Sequence, residues 1–180
     1  MGKRRIAVLV EQGKDGRVFL LNRDNLGGRS QGAGGTDNAV GVLGPYQGQW
    51  GHPAVWGGDG GYVYMVGAYG PLRAFRSGTT GAGQPALVDA GATRATFGYT
   101  TGSPIVTSNG TASGSATIWM VSASGPTGAS GTLHAFNAVP DGTGAIKELY
   151  TAPIGVASKF EVPLSYNGRI YVGSRDGSIY

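Results

Sequence analysis

Apolar residues in this chain fall in short runs, and Gly-rich polar turns separate the runs. Ile6-Ala7-Val8-Leu9-Val10, Gly61-Tyr62-Val63-Tyr64-Met65-Val66 and Thr117-Ile118-Trp119-Met120-Val121 are all too short for helices and rich in β-branched or aromatic side chains. Runs of that length and type read as strands, and no segment sustains a helical period. A fixed phrase recurs: a Pro-led apolar step, a strand, a turn, and a strand that ends near Ala-Phe. One copy runs through His52-Pro53-Ala54-Val55-Trp56, Tyr62–Val66 and Pro71-Leu72-Arg73-Ala74-Phe75. The next runs through Ser103-Pro104-Ile105-Val106, Thr117–Val121 and Gly131-Thr132-Leu133-His134-Ala135-Phe136. A third has Val162-Pro163-Leu164-Ser165, Arg169-Ile170-Tyr171-Val172 and Gly177-Ser178-Ile179-Tyr180.

The anchors Pro53, Pro104 and Pro163 recur at roughly fifty to sixty residues, a period typical of repeat architectures. A fourth strand is predicted in each complete unit, at Ala86-Leu87-Val88-Asp89 and at Ile146-Lys147-Glu148-Leu149-Tyr150. Four short strands per unit at this period predict an all-β fold, a β-propeller of four-stranded blades. The hairpin turn Lys14-Asp15-Gly16-Arg17 matches Arg175-Asp176-Gly177-Ser178 in residue type. The expected division is one domain over residues 1–180, with blade pieces at 1–49, 50–98, 99–155 and 156–180. Two pieces are complete and two partial, which makes a partial ring. Either the sequence is a fragment of a longer chain or copies assemble, as a homodimer, to close the ring, because an open arc leaves sheet faces and edges uncovered. The stretch from Asn22 to Gln49 has no clear period and reads as a short outer strand or an inserted loop.

Composition narrows the class. Of 180 residues 35 are Gly, yet there is no three-residue period, so the glycines belong to turns. Net charge is +4, but the only cluster of Lys and Arg is Lys3-Arg4-Arg5, so no nucleic-acid partner is expected. There is no Cys, which excludes disulfides and thiolate metal sites. No apolar run is long enough for a membrane span. The basic start followed by Ile6–Val10 is too short for a signal peptide and leads straight into Glu11-Gln12.

The segment Asn167-Gly168-Arg169-Ile170-Tyr171-Val172-Gly173-Ser174-Arg175-Asp176-Gly177-Ser178-Ile179-Tyr180 resembles the pyrroloquinoline-quinone-like repeat of the quinoprotein dehydrogenase-like superfamily. The resemblance covers about three quarters of the chain. It implies a β-propeller and a bacterial, extracellular or periplasmic protein. Many such modules bind or assemble without catalysis. The catalytic members hold the quinone and a calcium ion with carboxylates and Asn, and often carry a vicinal disulfide that a chain without Cys cannot form. The expectation is therefore a non-catalytic binding or assembly module within a larger exported protein, with no cofactor. Part of a quinone-dependent oxidoreductase, or a carbohydrate-binding propeller, are the alternatives.

Alignment on the Pro anchors makes Trp50-Gly51-His52, Thr101-Gly102-Ser103 and Phe160-Glu161-Val162 equivalent, at the starts of the innermost strands. A protein or carbohydrate ligand at the channel would meet Trp50, His52, Ser103, Lys159 and Glu161. The same residues admit a structural reading, with Trp50 and Trp56 packed between blades and Lys159 paired with Glu161 at a rim. His52 and His134 occupy different places and lack the carboxylates of a metal site. Gly57-Gly58-Asp59-Gly60-Gly61 leads into a strand, so it is a hairpin turn and not a phosphate loop. Asp15, Asp59 and Asp176 are expected to bond their own turn backbones. Ser103 lacks the Gly-x-Ser-x-Gly setting of a nucleophile elbow.

Overall fold

The computed structural model describes residues 7–180; Lys3-Arg4-Arg5 and Ile6 lie outside the described residues. The chain forms four antiparallel sheets in sequence order and no α-helix among the described residues. Sheet 1 comprises β1 (Val8–Gln12), β2 (Val18–Asn22) and β3 (Gly41–Leu43). Sheet 2 comprises β4 (Ala54–Trp56), β5 (Tyr62–Val66), β6 (Leu72–Thr79) and β7 (Pro85–Ala92). Sheet 3 comprises β8 (Ile105–Thr107), β9 (Thr117–Ser124), β10 (Ala129–Asn137) and β11 (Glu148–Gly155). Sheet 4 comprises β12 (Leu164–Tyr166) and β13 (Arg169–Tyr171), extended by a bridge between Gly173 and Ile179.

Each sheet is a simple meander, so every strand pairs with its neighbour in sequence. The two central sheets have the four strands expected of each complete unit. The fourth strand of sheet 3 starts two residues later than its apolar pattern and runs on to Gly155. The Asn22–Gln49 stretch supplies the outer strand β3 and one short 3-10 turn, Ala33–Gly35. No helix among the described residues is long and apolar enough to cross a membrane.

Alternation along the strands decides how the sheets meet. On β5, Tyr62, Tyr64 and Val66 face sheet 3, where they pack with Ile118, Met120 and Phe136. Val63 and Met65 face the other way and pack with Val18 and Leu20 of sheet 1. All five residues of β5 are buried, because the strand is covered on both sides. Sheet 3 repeats the plan: Val121, Ala123 and Leu133 pack on Val172 of sheet 4.

The recurring Ala-Phe pair acquires a reason here. Phe75 and Phe136 point to the preceding sheet, and each is essentially inaccessible to solvent. Ala74 and Ala135 point to the following sheet and are as deeply buried. A large residue on one face and a small one on the other lets successive sheets interdigitate at native density. Trp56 joins the core between sheets 2 and 3, stacks on Tyr62, and donates its indole N–H to Gly110 O at 2.9 Å.

The turn that joins the second and third strands of a unit recurs with the same bonds. In sheet 1, Gly13 N donates to Arg17 O and Gly16 N to Gly13 O; in sheet 4, Ser174 N donates to Ser178 O and Gly177 N to Ser174 O. Gly16 and Gly177 both have positive φ, near 82° and 88°, which fits the Asp-Gly signature. Asp15 and Asp176 each accept the N–H two residues on, at 3.0 and 2.9 Å. Asp59 behaves differently. It lies in the β4–β5 hairpin, with φ at 49°.

Candidate functional site

The five sequence-derived residues lie on the segments that enter β4, β8 and β12, and β4 lies beside β8. Ser103 is buried, and its hydroxyl accepts the His52 N–H at 2.9 Å. A Cβ on Gly51 would collide with that hydroxyl, and a Cβ on Gly102 would collide with Glu161 O. Both glycines of the aligned triplets are thus points where one unit's backbone touches the next. Phe160 N donates to Thr100 O at 3.0 Å and ties sheet 4's entry to that of sheet 3. His52 and Lys159 are exposed, and Trp50 and Glu161 are partly buried. Glu161 accepts the Ser158 N–H at 2.9 Å through Oε2. The ion pairs among the described residues do not include Lys159 with Glu161.

Aromatic rings gather at this end. Tyr99 meets Trp50 edge-on at 5.1 Å, Phe160 edge-on at 5.6 Å, and stacks with Tyr69 at 6.4 Å. Lys14 Nζ lies 5.9 Å from the Trp50 ring, within cation–π range. Tyr69 occupies the turn position held by Asp15 and Asp176 in other units. It has φ at 58° and is 73 % exposed. A bulky residue in left-handed backbone, with its ring in solvent, gains little for the fold and points to another use. Beside Trp50, Gln49 is buried with both amide atoms unpartnered, and Thr101 Oγ1 is also buried without a partner.

A second cluster lies between sheets 2 and 3. Ser122 Oγ is 2.7 Å from His134 Nε2, and His134 Nδ1 is 2.6 Å from Glu148 Oε1. A carboxylate can only accept, so Nδ1 carries the proton; in the neutral ring Nε2 then accepts the Ser122 hydroxyl. Phe97 packs edge-on to the imidazole at 5.4 Å, and Phe136 stacks on it at 5.7 Å. The residues come from β9, β10 and β11, and only strand register brings them onto one face. Hydroxyl, imidazole and carboxylate stand in the order of a hydrolase triad. The adjoining cavity, about 360 Å³, is lined by Glu148 and Phe136 together with Arg94, Asp141 and Lys147, and not by Ser122. The relay therefore fixes Glu148 at the cavity wall and keeps the hydroxyl at its far end.

Electrostatics at the turns follow from hydrogen bonding. The Arg17 backbone N–H, then its side chain, holds the Asp15 carboxyl below its ordinary value. The Thr143 hydroxyl and N–H do the same for Asp141, and the Ser174 hydroxyl, then Ser178, for Asp176. Burial pushes the Tyr64 phenol well up, and its oxygen has no partner. Among the described residues, no three His, Asp or Glu side chains gather as a metal-binding set.

Sequence reasoning overlooked the relay and the hub position of Tyr99. Ser122 and Glu148 are 12 and 14 residues from His134, and nothing but the pairing of β9 with β10 and β10 with β11 makes them neighbours. No protein-family model matches the chain, and no curated protein is similar to it.

Proposed function

We propose that this chain is a ligand-binding module of the quinoprotein-like β-propeller type, belonging to an exported bacterial protein, and that it takes a carbohydrate at the entry to the inner strands. The exposed, left-handed Tyr69, stacked on Tyr99 beside Trp50, carries this reading. Sugar rings bind through their C–H faces on aromatic rings and through hydroxyls on nearby polar groups. Trp50 and Tyr69 supply the rings, while His52, Lys159 and Lys14 are exposed polar groups at the same end. Ser103 and Glu161 hold the strand entries in place through His52 and Ser158.

The stacking of sheets in chain order, with β4 beside β8 and the entry of sheet 4 bonded to that of sheet 3, supports a radial arrangement. Titration against a panel of soluble neutral polysaccharides tests the ligand class. Trp50→Ala and Tyr69→Ala should each weaken binding by roughly tenfold, about the worth of one aromatic contact. A chain that binds none of the panel, or variants that bind as well as wild type, would end the carbohydrate reading.

A further inference from the structure

The cavity of about 360 Å³ beside the Ser122–His134–Glu148 relay lies between the two complete sheets. Its walls are the segment after β7 and the connection that leads from β10 into β11. Ala92 N donates to Gly144 O and Ile146 N to Ala92 O, each at 3.0 Å, which clamps these segments together. Gly91 permits the close approach: its φ is 147°, and a Cβ there would collide with Gly144 O. The floor is apolar, formed by the buried side chains of Phe136 and Ile146.

The rim is charged, and its charges are not spent on one another. Arg94 and Lys147 are absent from the ion pairs among the described residues. Asp141 shares the rim, but its Oδ1 already accepts the Thr143 N–H, the Thr143 hydroxyl and the Ala145 N–H. Arg94 acts on that carboxyl from beyond ion-pair range. Glu148 is the complement of the two cations. His134 holds its Oε1 at 2.6 Å and is itself held by Ser122, which leaves Oε2 without a partner among the described residues. Glu148 is the cross-strand partner of Phe136, so the carboxylate stands at the edge of the apolar floor. A pair of this exposure adds little to stability. A part-buried imidazole that fixes a carboxylate at a cavity wall is instead how a binding group is pre-organised.

We infer that this cavity binds a small zwitterion, a free α-amino acid with an apolar side chain. Arg94 and Lys147 take its carboxylate, Glu148 Oε2 accepts from its ammonium, and its side chain lies on Phe136 and Ile146. Charge separates this class from the others. A simple anion would meet Asp141 and Glu148, and a simple cation would meet Arg94 and Lys147. An uncharged ligand would desolvate groups of both signs and pair neither. The volume stands at the small end of ligand sites, about 300–1,000 Å³, which suits one small molecule and not a polymer. The site is separate from the aromatic strand entries, and the inference does not rest on the carbohydrate reading.

The test is isothermal titration of the purified chain with L-leucine, L-methionine and L-phenylalanine, with two-dimensional NMR to locate the site. At least one of the three should bind saturably, with Kd below about 1 mM. The amides of Ala95, Ala145 and Ile146 should shift as it binds. Leucinol, which lacks the carboxylate, and 4-methylpentanoate, which lacks the ammonium, should each bind at least tenfold more weakly than leucine, the worth of a charge-assisted hydrogen bond. Glu148→Gln and the double variant Arg94→Gln/Lys147→Gln should show the same loss, with far-UV circular dichroism to show that each is folded. The two analogues need no variant, so the inference stays testable if a substitution disturbs folding. No saturable binding of any of the three amino acids overturns the inference. So do shifts confined to another part of the chain, an analogue that binds as well as leucine, or a folded variant that binds like wild type. Polysaccharide binding is read at Trp50 and Tyr69, so either proposal can fail without the other.

Discussion

The Ser103 hydroxyl accepts the His52 backbone N–H at 2.9 Å and joins the entry of sheet 3 to that of sheet 2. Ser103 is 2 % exposed, and removal of its hydroxyl takes this partner from the His52 N–H. Ser103→Ala should cost about 0.5–1.5 kcal/mol, the net worth of one intramolecular hydrogen bond. Urea unfolding of the variant checks this; a change below about 0.5 kcal/mol would mean that the bond contributes nothing net.

The Ala-Phe pairs make a second prediction. Phe75→Ala and Phe136→Ala should each lose about 3–5 kcal/mol, through the cavity left between sheets. Ala74→Leu should lose about 1–3 kcal/mol through overpacking on the opposite face. Val55→Ala, on β4 but 67 % exposed, is the control and should stay within about 0.5 kcal/mol of wild type. Equal effects at Val55 and Phe75 would contradict the stacked arrangement.

His134 positions Glu148 and is itself packed between Phe97 and Phe136. His134→Ala should be clearly more destabilising than Glu148→Gln, because the imidazole is 12 % exposed and the carboxylate 46 %. A partly exposed pair is screened by solvent, so Glu148→Gln should cost no more than about 1 kcal/mol. The two-dimensional NMR signal of the imidazole gives a second readout: in Glu148→Gln the Nδ1–H resonance should shift or broaden, and an unchanged resonance would deny the contact.

The turn aspartates predict an acid response. The folded-state carboxyls of Asp15, Asp141 and Asp176 lie below their ordinary value of 3.8. Their contribution is therefore fully present above that value and is lost as pH falls through the folded-state values. Protection of the Thr143 and Ala145 amides against exchange, taken relative to the intrinsic rate at each pH, should fall below about pH 4, because Asp141 accepts both N–H groups. Asp141→Ala should leave little protection at these amides at any pH, since no side-chain oxygen remains to accept them. Protection at Thr143 that persists at pH 2 would refute the assignment.

Much of the fold was legible because it depends on local signals. The alternation in Tyr62–Val66, the Asp-Gly turns and the repeated Ala-Phe pairs each carry their structural meaning within a few residues. The boundary of β11 was less legible: Ile146 is apolar but joins the core ahead of the strand, and pairing begins at Glu148. The site was legible only in part. The triplets around Trp50, Ser103 and Glu161 could be aligned, but the contacts between them depend on two glycines that meet the neighbouring unit. Tyr99 and the Ser122–His134–Glu148 relay left no trace in the sequence, because they exist only once distant segments are brought into register.

The sheets stack in the order in which they occur along the chain, and each core cluster is shared by consecutive sheets. Contacts between sheets consequently stay within neighbouring units, which favours growth of structure from any one formed sheet outward. The same feature makes the unit a natural quantum of gene duplication. Copying one unit in tandem adds another Ala-Phe layer whose two faces already fit its neighbours, and no residue elsewhere needs to change.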